Sequence, residues 1–148
     1  MRVVIAEDDS IVELGLRRML KVLRHEVVGS ARNGKEAVQF VQDCHPDIAI
    51  LDIKMPEVDG LQAARTITEK CPVAILMLTA FTEHNLIKEV AESGAFACLL
   101  KPVGMNQLEA AMDLAMARFK DHRQLKTKAE SLENELENQK LIDRATRF

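Results

Sequence analysis

The sequence predicts an α/β fold: a five-stranded parallel sheet with helices on both faces. Five short apolar runs alternate with stretches of helical periodicity, and the runs are too uniformly apolar to keep a solvent face. Each of four runs also ends on polar residues. Glu7, Asp8 and Asp9 follow MRVVIA, Asp52 follows IAIL, Thr79 follows AILML, and Lys101 follows ACLL. Acids, a hydroxyl and an amine at strand ends build a charged pocket at the carboxyl edge of a parallel sheet.

Taken in order, residues 3–6 form the first buried strand, rich in β-branched side chains. Ser10 and Glu13 have capping-box spacing, and Ile11, Leu14, Met19 and Leu23 follow on a helical face. Residues 27–31 read as the second strand, and Asn33-Gly34 as the turn into a helix carrying Ala37, Val38 and Val41. Pro46 ends that helical region, and residues 48–51 are the third strand. A helix over 60–68, a strand over 73–78 and a short helix over 83–93 closed by Gly94 come next. The fifth strand spans 96–100, and a last helix starts near Met105 or Asn106. Strands alternating with helices imply right-handed βαβ units, for which the flavodoxin-like order 2-1-3-4-5 is the natural choice.

The last helix has no stop signal. No Gly or Pro occurs from Asn106 onward, so at ~1.5 Å per residue it could approach ~60 Å. Leu108, Met112, Ala115 and Phe119 suit packing on the sheet. Further on, Leu125, Ala129, Leu132 and Leu136 keep a 4-3-4 spacing, the seam of a coiled coil, which weakens at Gln139 and Asp143. The expected organisation is a domain over 1–119 and a helical extension over 120–148 that pairs two copies of the chain. The plainer alternative is a frayed linker.

Composition narrows the function classes. With 148 residues and 47% apolar content the chain can bury one core, and its net charge of -3 selects no partner. The absence of Trp and Tyr argues against a platform that stacks single-stranded bases. Cys44, Cys71 and Cys98 lack metal-site spacing and read as buried thiols in a reducing compartment. No segment reads as a secretory leader or membrane span, so a cytoplasmic location with no membrane partner is expected.

Chemistry concentrates at the strand ends. Glu7 and Asp8 can reach into a pocket beside Asp52, where hard carboxylate oxygens suit Mg²⁺. A single strand-end acid would be an ordinary loop residue; the triple run together with Asp52 is what argues for a site. Asp52 is the best candidate nucleophile, because an acyl phosphate needs a carboxylate on a rigid element. Thr79 and Lys101 could receive phosphoryl oxygens, Lys101 being aimed by Pro102.

EDD, LDIKMP, LTA and GAFACLLKP, in this order and spacing, closely resemble the receiver domain of two-component response regulators over about the first four-fifths of the chain. The resemblance implies that Asp52 accepts a phosphoryl group from a phosphohistidine on a sensor histidine kinase. It implies Mg²⁺ held by Glu7, Asp8, Asp52 and the backbone carbonyl of Lys54. Thr79 and Lys101 match the switch hydroxyl and the lysine, Gly60 the glycine after the phosphorylation loop, and Asp9 a variable neighbour. Cys98 departs from the family, standing where a switch Tyr or Phe is usual. Either Phe96, on the same face of an ideal strand, or Phe81 substitutes, or the coupling does without an aromatic ring.

The stretch from Leu132 to Ala145 also resembles the coiled coil leading into an ANTAR module, the helical RNA-binding unit of antiterminator regulators. The chain closes at Phe148, so the expectation is a shortened form that would control antitermination through RNA when complete. No DNA partner is expected. A stand-alone receiver that signals by protein contact is the alternative. A metal-dependent phosphatase is disfavoured by the short loops, and the chain is not expected to be an enzyme.

Overall fold

The computed structural model describes residues 1–80 and 86–124. The elements are β1 (Arg2–Ala6), α1 (Ser10–Val22), β2 (Glu26–Ala31), α2 (Gly34–Cys44), β3 (Ile48–Asp52), α3 (Gly60–Lys70), β4 (Ala74–Thr79), α4 (Leu86–Glu92) and β5 (Ala97–Leu100). A final helix, α5, is helical over 105–124. The strands form one parallel sheet in the order β2-β1-β3-β4-β5, as expected.

Alternation along the strands divides the core in two. Val4, Ala6, Ala49, Leu51, Ile75 and Met77 face α2 and α3, with Val90 of α4 packed against the same cluster. Val3, Ile5, Ile48, Ile50, Leu76 and Leu78 face α1 and α5. Both faces are covered, which is why the three central strands are apolar at consecutive positions. In α5, Leu108, Met112 and Ala115 are buried, and Phe119 is partly buried against the same cluster.

Helix ends follow local chemistry, with one correction. Asp9, not Ser10, caps α1: its carboxylate accepts from the Ile11 and Val12 N–H groups. Glu13 is therefore no capping-box partner. It pairs with Arg17 and accepts from the Ser30 hydroxyl at 3.0 Å. Asn33 caps α2, which stops at Cys44, where His45 turns left-handed with φ 47° ahead of Pro46. Gly94, with φ 92°, follows α4 as expected; the expected start of that helix at residue 83 lies outside the described residues, as does the coiled-coil seam.

Two further expectations are corrected. The cysteines are not buried: Cys44 and Cys71 are half-buried and Cys98 is exposed. Phe96 does not share the face of Cys98. Cys98 is paired with Met77, whereas Phe96 lies just before β5 and packs with Ala97 and Leu99 on the α5 side. Its ring meets Phe119 edge-on at 5.6 Å, and Arg118 donates to its carbonyl at 2.9 Å. Strand alternation begins only at Ala97, so the ideal-strand argument does not reach Phe96.

Candidate phosphoacceptor site

The carboxyl edge of the sheet gathers residues that are far apart in sequence. Glu7 follows β1 and is buried, its N–H donating to the Ala31 carbonyl at 3.0 Å. Asp8 and Asp9 are exposed. Asp52 ends the central strand β3 and is buried. One carboxylate oxygen from each of Glu7, Asp8 and Asp52 can be chosen so that all lie within 4.8 Å of one another. Asp9 is excluded from that cluster because its side chain is engaged in capping α1.

Lys101 closes the cluster from the other side. A backbone bond from its N–H to the Thr79 carbonyl (2.8 Å) places it, and the peptide bond to Pro102 is cis. Its Nζ stands 3.0 Å from Asp52 Oδ2 and 2.9 Å from Glu7 Oε2. The Asp52 contact is an aligned hydrogen bond, but the approach to Glu7 is not. Glu7 Oε2 thus has the Lys101 ammonium beside it and no other donor among the described residues.

Electrostatics follow from this packing. Burial pushes the Glu7 carboxyl up to about 7; the Lys101 ammonium pulls it back and the neighbouring Asp52 charge adds to the rise. For Lys101 burial opposes the charged form, but Glu7 and Asp52 outweigh it and raise its pKa. Three clustered acids facing the Lys101 ammonium leave the pocket short of positive charge.

The loop after β3 is held by backbone approach. Gly60 N–H donates to the Ile53 carbonyl at 3.0 Å, and Gly34 N–H donates to the Val58 carbonyl at 2.7 Å. A Cβ on Gly60 would collide with the Asp52 carbonyl. Lys54 lies in this loop and, with Asp8, Met55 and Asp59, lines a shallow groove beside the acids. Thr79 ends β4, half-buried, and its hydroxyl donates to the Ala80 carbonyl at 3.1 Å, not to Asp52. Phe81 lies outside the described residues.

A polar cleft of about 190 Å³ adjoins Asp8, lined by Ser10, Glu13, Arg17, Ser30 and Arg32. Sequence reasoning did not find it. Its residues come from β2, α1 and the following loop, and only the β1–β2 pairing brings them together.

Residues 3–113 match the family described as Response regulator receiver domain. The chain is 39% identical over 144 residues to the Transcriptional regulatory protein PdtaR of Mycobacterium tuberculosis, covering 97% of this chain and 70% of that one. It is 36% identical over 116 residues to the Transcriptional regulatory protein YdfI of Bacillus subtilis, covering 78% of this chain and 54% of the relative. Among solved structures, the signal receiver domain of a modulated diguanylate cyclase from Desulfovibrio desulfuricans G20 is similar with a TM-score of 0.75. It is 30% identical, and the match covers 82% of this chain and 97% of that one. The receiver domain of the response regulator NarL from Mycobacterium tuberculosis gives 0.72 at 31% identity, covering 77% and 94%. With its strand order, its carboxyl-edge acids and these matches, the chain belongs to the response regulator receiver domain family.

Proposed function

We propose that this protein is a phosphorylatable response regulator in which Asp52 accepts a phosphoryl group from a sensor histidine kinase. The observation that carries this reading is the contact of Lys101 Nζ with both Asp52 and Glu7 at the end of the central strand. A carboxylate oxygen of Asp52 attacks phosphorus; the new O–P bond forms as the N–P bond of the donor phosphohistidine breaks. Lys101 stays beside the acyl phosphate and pairs with one of its oxygens. Thr79, one strand away, gives up its bond to the Ala80 carbonyl and donates to another.

The residues present fit Mg²⁺. Among the described residues Glu7 Oε2 is buried with no donor besides the Lys101 ammonium, and the three clustered groups are hard oxygen donors. Glu7, Asp8, Asp52 and the Lys54 carbonyl would hold the ion. Bound Mg²⁺ supplies charge that offsets repulsion between the acids and the incoming phosphoryl group.

The reading extends to output. Residues 1–119 act as the receiver and 120–148 as a helical extension, although the boundary falls inside α5, which runs unbroken through it. The alignment with the mycobacterial transcriptional regulator continues into this extension, covering 97% of the chain. It supports a role in transcription antitermination through RNA, exercised with an ANTAR-type module and as a dimer, in the cytoplasm. No described helix is long and apolar enough to cross a membrane. Phosphotransfer here is a signalling step, not turnover of an external substrate.

The test is labelling by a small phosphodonor with Mg²⁺. The parent and Asp9→Asn become labelled, and Asp52→Asn does not. Equal labelling of Asp52→Asn and the parent would remove Asp52 as the acceptor.

A further inference from the structure

At the sheet edge opposite Asp52 lies a cavity of about 520 Å³. Strand polarity separates the two sites: Val73 precedes β4 and Phe96 precedes β5, whereas Asp52 closes β3. Val73, Ala91 and Phe96 form one wall, and Phe119 and His122 from the last turns of α5 form another. The volume falls within the range of small-molecule sites, which combine apolar walls with a few convergent polar groups.

Walls and charges together select the ligand. The Phe96 ring meets Phe119 edge-on at 5.6 Å and His122 at 5.7 Å, an aromatic corner that suits a flat ring. Among the described residues that line the cavity none is acidic, so a cation finds no counter-charge. Arg123, the lining residue whose charge is permanent, is already engaged, over Phe119 and in a further interaction. An anion therefore finds no uncommitted guanidinium. Burying a charge without a partner is unfavourable, and a neutral ligand avoids it. Two groups can still bond to such a ligand. The Thr68 hydroxyl donates to the Ala64 carbonyl at 2.8 Å, which leaves its oxygen as an acceptor. An imidazole carries an N–H in either protonation state, so His122 supplies a donor.

We propose that this cavity binds a neutral planar heteroarene that carries one hydrogen-bond acceptor and one donor, its ring packed on Phe96 and Phe119. The ligand's acceptor faces His122 and its donor faces the Thr68 oxygen. The ligand would touch both α3 and the last turn of α5, tying the helix that leads into the extension to the receiver body. Nothing in phosphotransfer at Asp52 requires this site.

The experiment is titration of the full chain with 2-quinolinone at mildly alkaline pH, where imidazoles carry no charge. Ligand fluorescence reports binding directly, because the chain has no Trp or Tyr. Saturable binding with a Kd below about 1 mM is expected. Quinoline-2-carboxylate and 1-methylquinolinium, the anionic and cationic counterparts, should bind at least about fivefold more weakly. Methylating the quinolinone nitrogen removes the donor and should weaken binding to the parent about fivefold. Thr68→Val should lower 2-quinolinone to the affinity of its N-methyl form and leave that form unchanged. Ala91→Leu, at an exposed position of α4, should abolish binding by filling the cavity. The ligand series in the parent stands as a test even where a variant fails to fold. Absence of saturable binding, equal affinity for neutral and charged ligands, or unaltered binding in a folded Ala91→Leu overturns the proposal. So does an equal loss on N-methylation in the parent and in Thr68→Val, which would place the ligand's donor elsewhere.

Discussion

Single side chains at the acid cluster divide into those that hold the fold and those that hold charge. Asp8 and Asp9 are adjacent in sequence and both exposed, yet only Asp9 bonds to the helix N-terminus. Asp9→Ala should therefore cost about 1 kcal/mol of stability and leave Mg²⁺ affinity unchanged, whereas Asp8→Ala should weaken Mg²⁺ and leave stability nearly unchanged. Urea unfolding and calorimetric Mg²⁺ titration of both variants separate the roles, and a reversed pattern would exchange them. This division was not legible beforehand, because Asp9 and Ser10 are both good capping types and spacing alone cannot choose between them. Glu7 supplies a second test, in protein kept free of metal by a chelator. Its carboxyl is raised from 4.5 to about 7 by burial, so the folded state holds a proton that the unfolded chain releases. Its contribution to stability is present in full below pH 4.5 and is lost as pH rises through about 7. The loss is on the order of a few kcal/mol, since one pKa unit corresponds to ~1.4 kcal/mol. The difference in stability between parent and Glu7→Gln should change across this window and stay flat above it. A difference that does not vary with pH would mean that Glu7 titrates normally.

At the scale of elements, the loop between β3 and α3 positions the site, and its glycines explain how. Gly60 sits against the Asp52 backbone, where a side chain would collide with the carbonyl. Gly15, inside α1, has nothing within 4 Å of its would-be Cβ. Gly60→Ala should thus destabilise by about 2 kcal/mol or more and slow phosphorylation. Gly15→Ala should stabilise by about 0.5–1 kcal/mol and leave phosphorylation intact. Thermal unfolding with phosphodonor labelling reads both, and a tolerated Gly60→Ala would show that the loop can shift away without disturbing Asp52. The strands were readable from sequence because burial on both faces leaves uninterrupted apolar runs. Their ends moved by a residue: β4 begins at Ala74, not Val73, and β5 at Ala97, not Phe96. That last residue matters. It turns Phe96 toward Phe119 and away from the face of Cys98, so Phe96 cannot replace a switch aromatic there. Strand polarity also made Glu7, Asp52 and Lys101 legible as one site, since three strand ends converge at one sheet edge. Side-chain direction was not legible, and Thr79 in fact bonds to its neighbouring carbonyl.

For the whole molecule, the open question is what the long last helix does. Within the described residues α5 buries Leu108, Met112 and Ala115 against the sheet, and its contacts continue through Arg118 and Phe119 to Phe96. Residues 120–124 are exposed, and His122 there still meets the Phe96 ring at 5.7 Å. Leu125, Ala129, Leu132 and Leu136 lie outside the described residues; their 4-3-4 spacing would make an apolar stripe on a helix in a sequence otherwise rich in charge. Such a stripe needs a partner, and a symmetric pair of helices is the simplest closed solution. Each fully buried leucine contributes ~1.5–3 kcal/mol, but the seam is short, and Gln139 and Asp143 interrupt its register. Association must also offset lost translational and rotational freedom, ~4–15 kcal/mol. The balance favours a dimer of modest affinity that dissociates on dilution. Sedimentation over a range of concentrations should show the intact chain passing from dimer to monomer. A chain shortened after residue 124 keeps the Phe119 and Arg118 contacts and should remain monomeric throughout. Leu132→Asp, a single charge placed in the seam, should abolish the dimer without altering phosphodonor labelling. If the shortened chain dimerises as well as the intact one, the receiver surface holds the two copies together and the helical seam has another use.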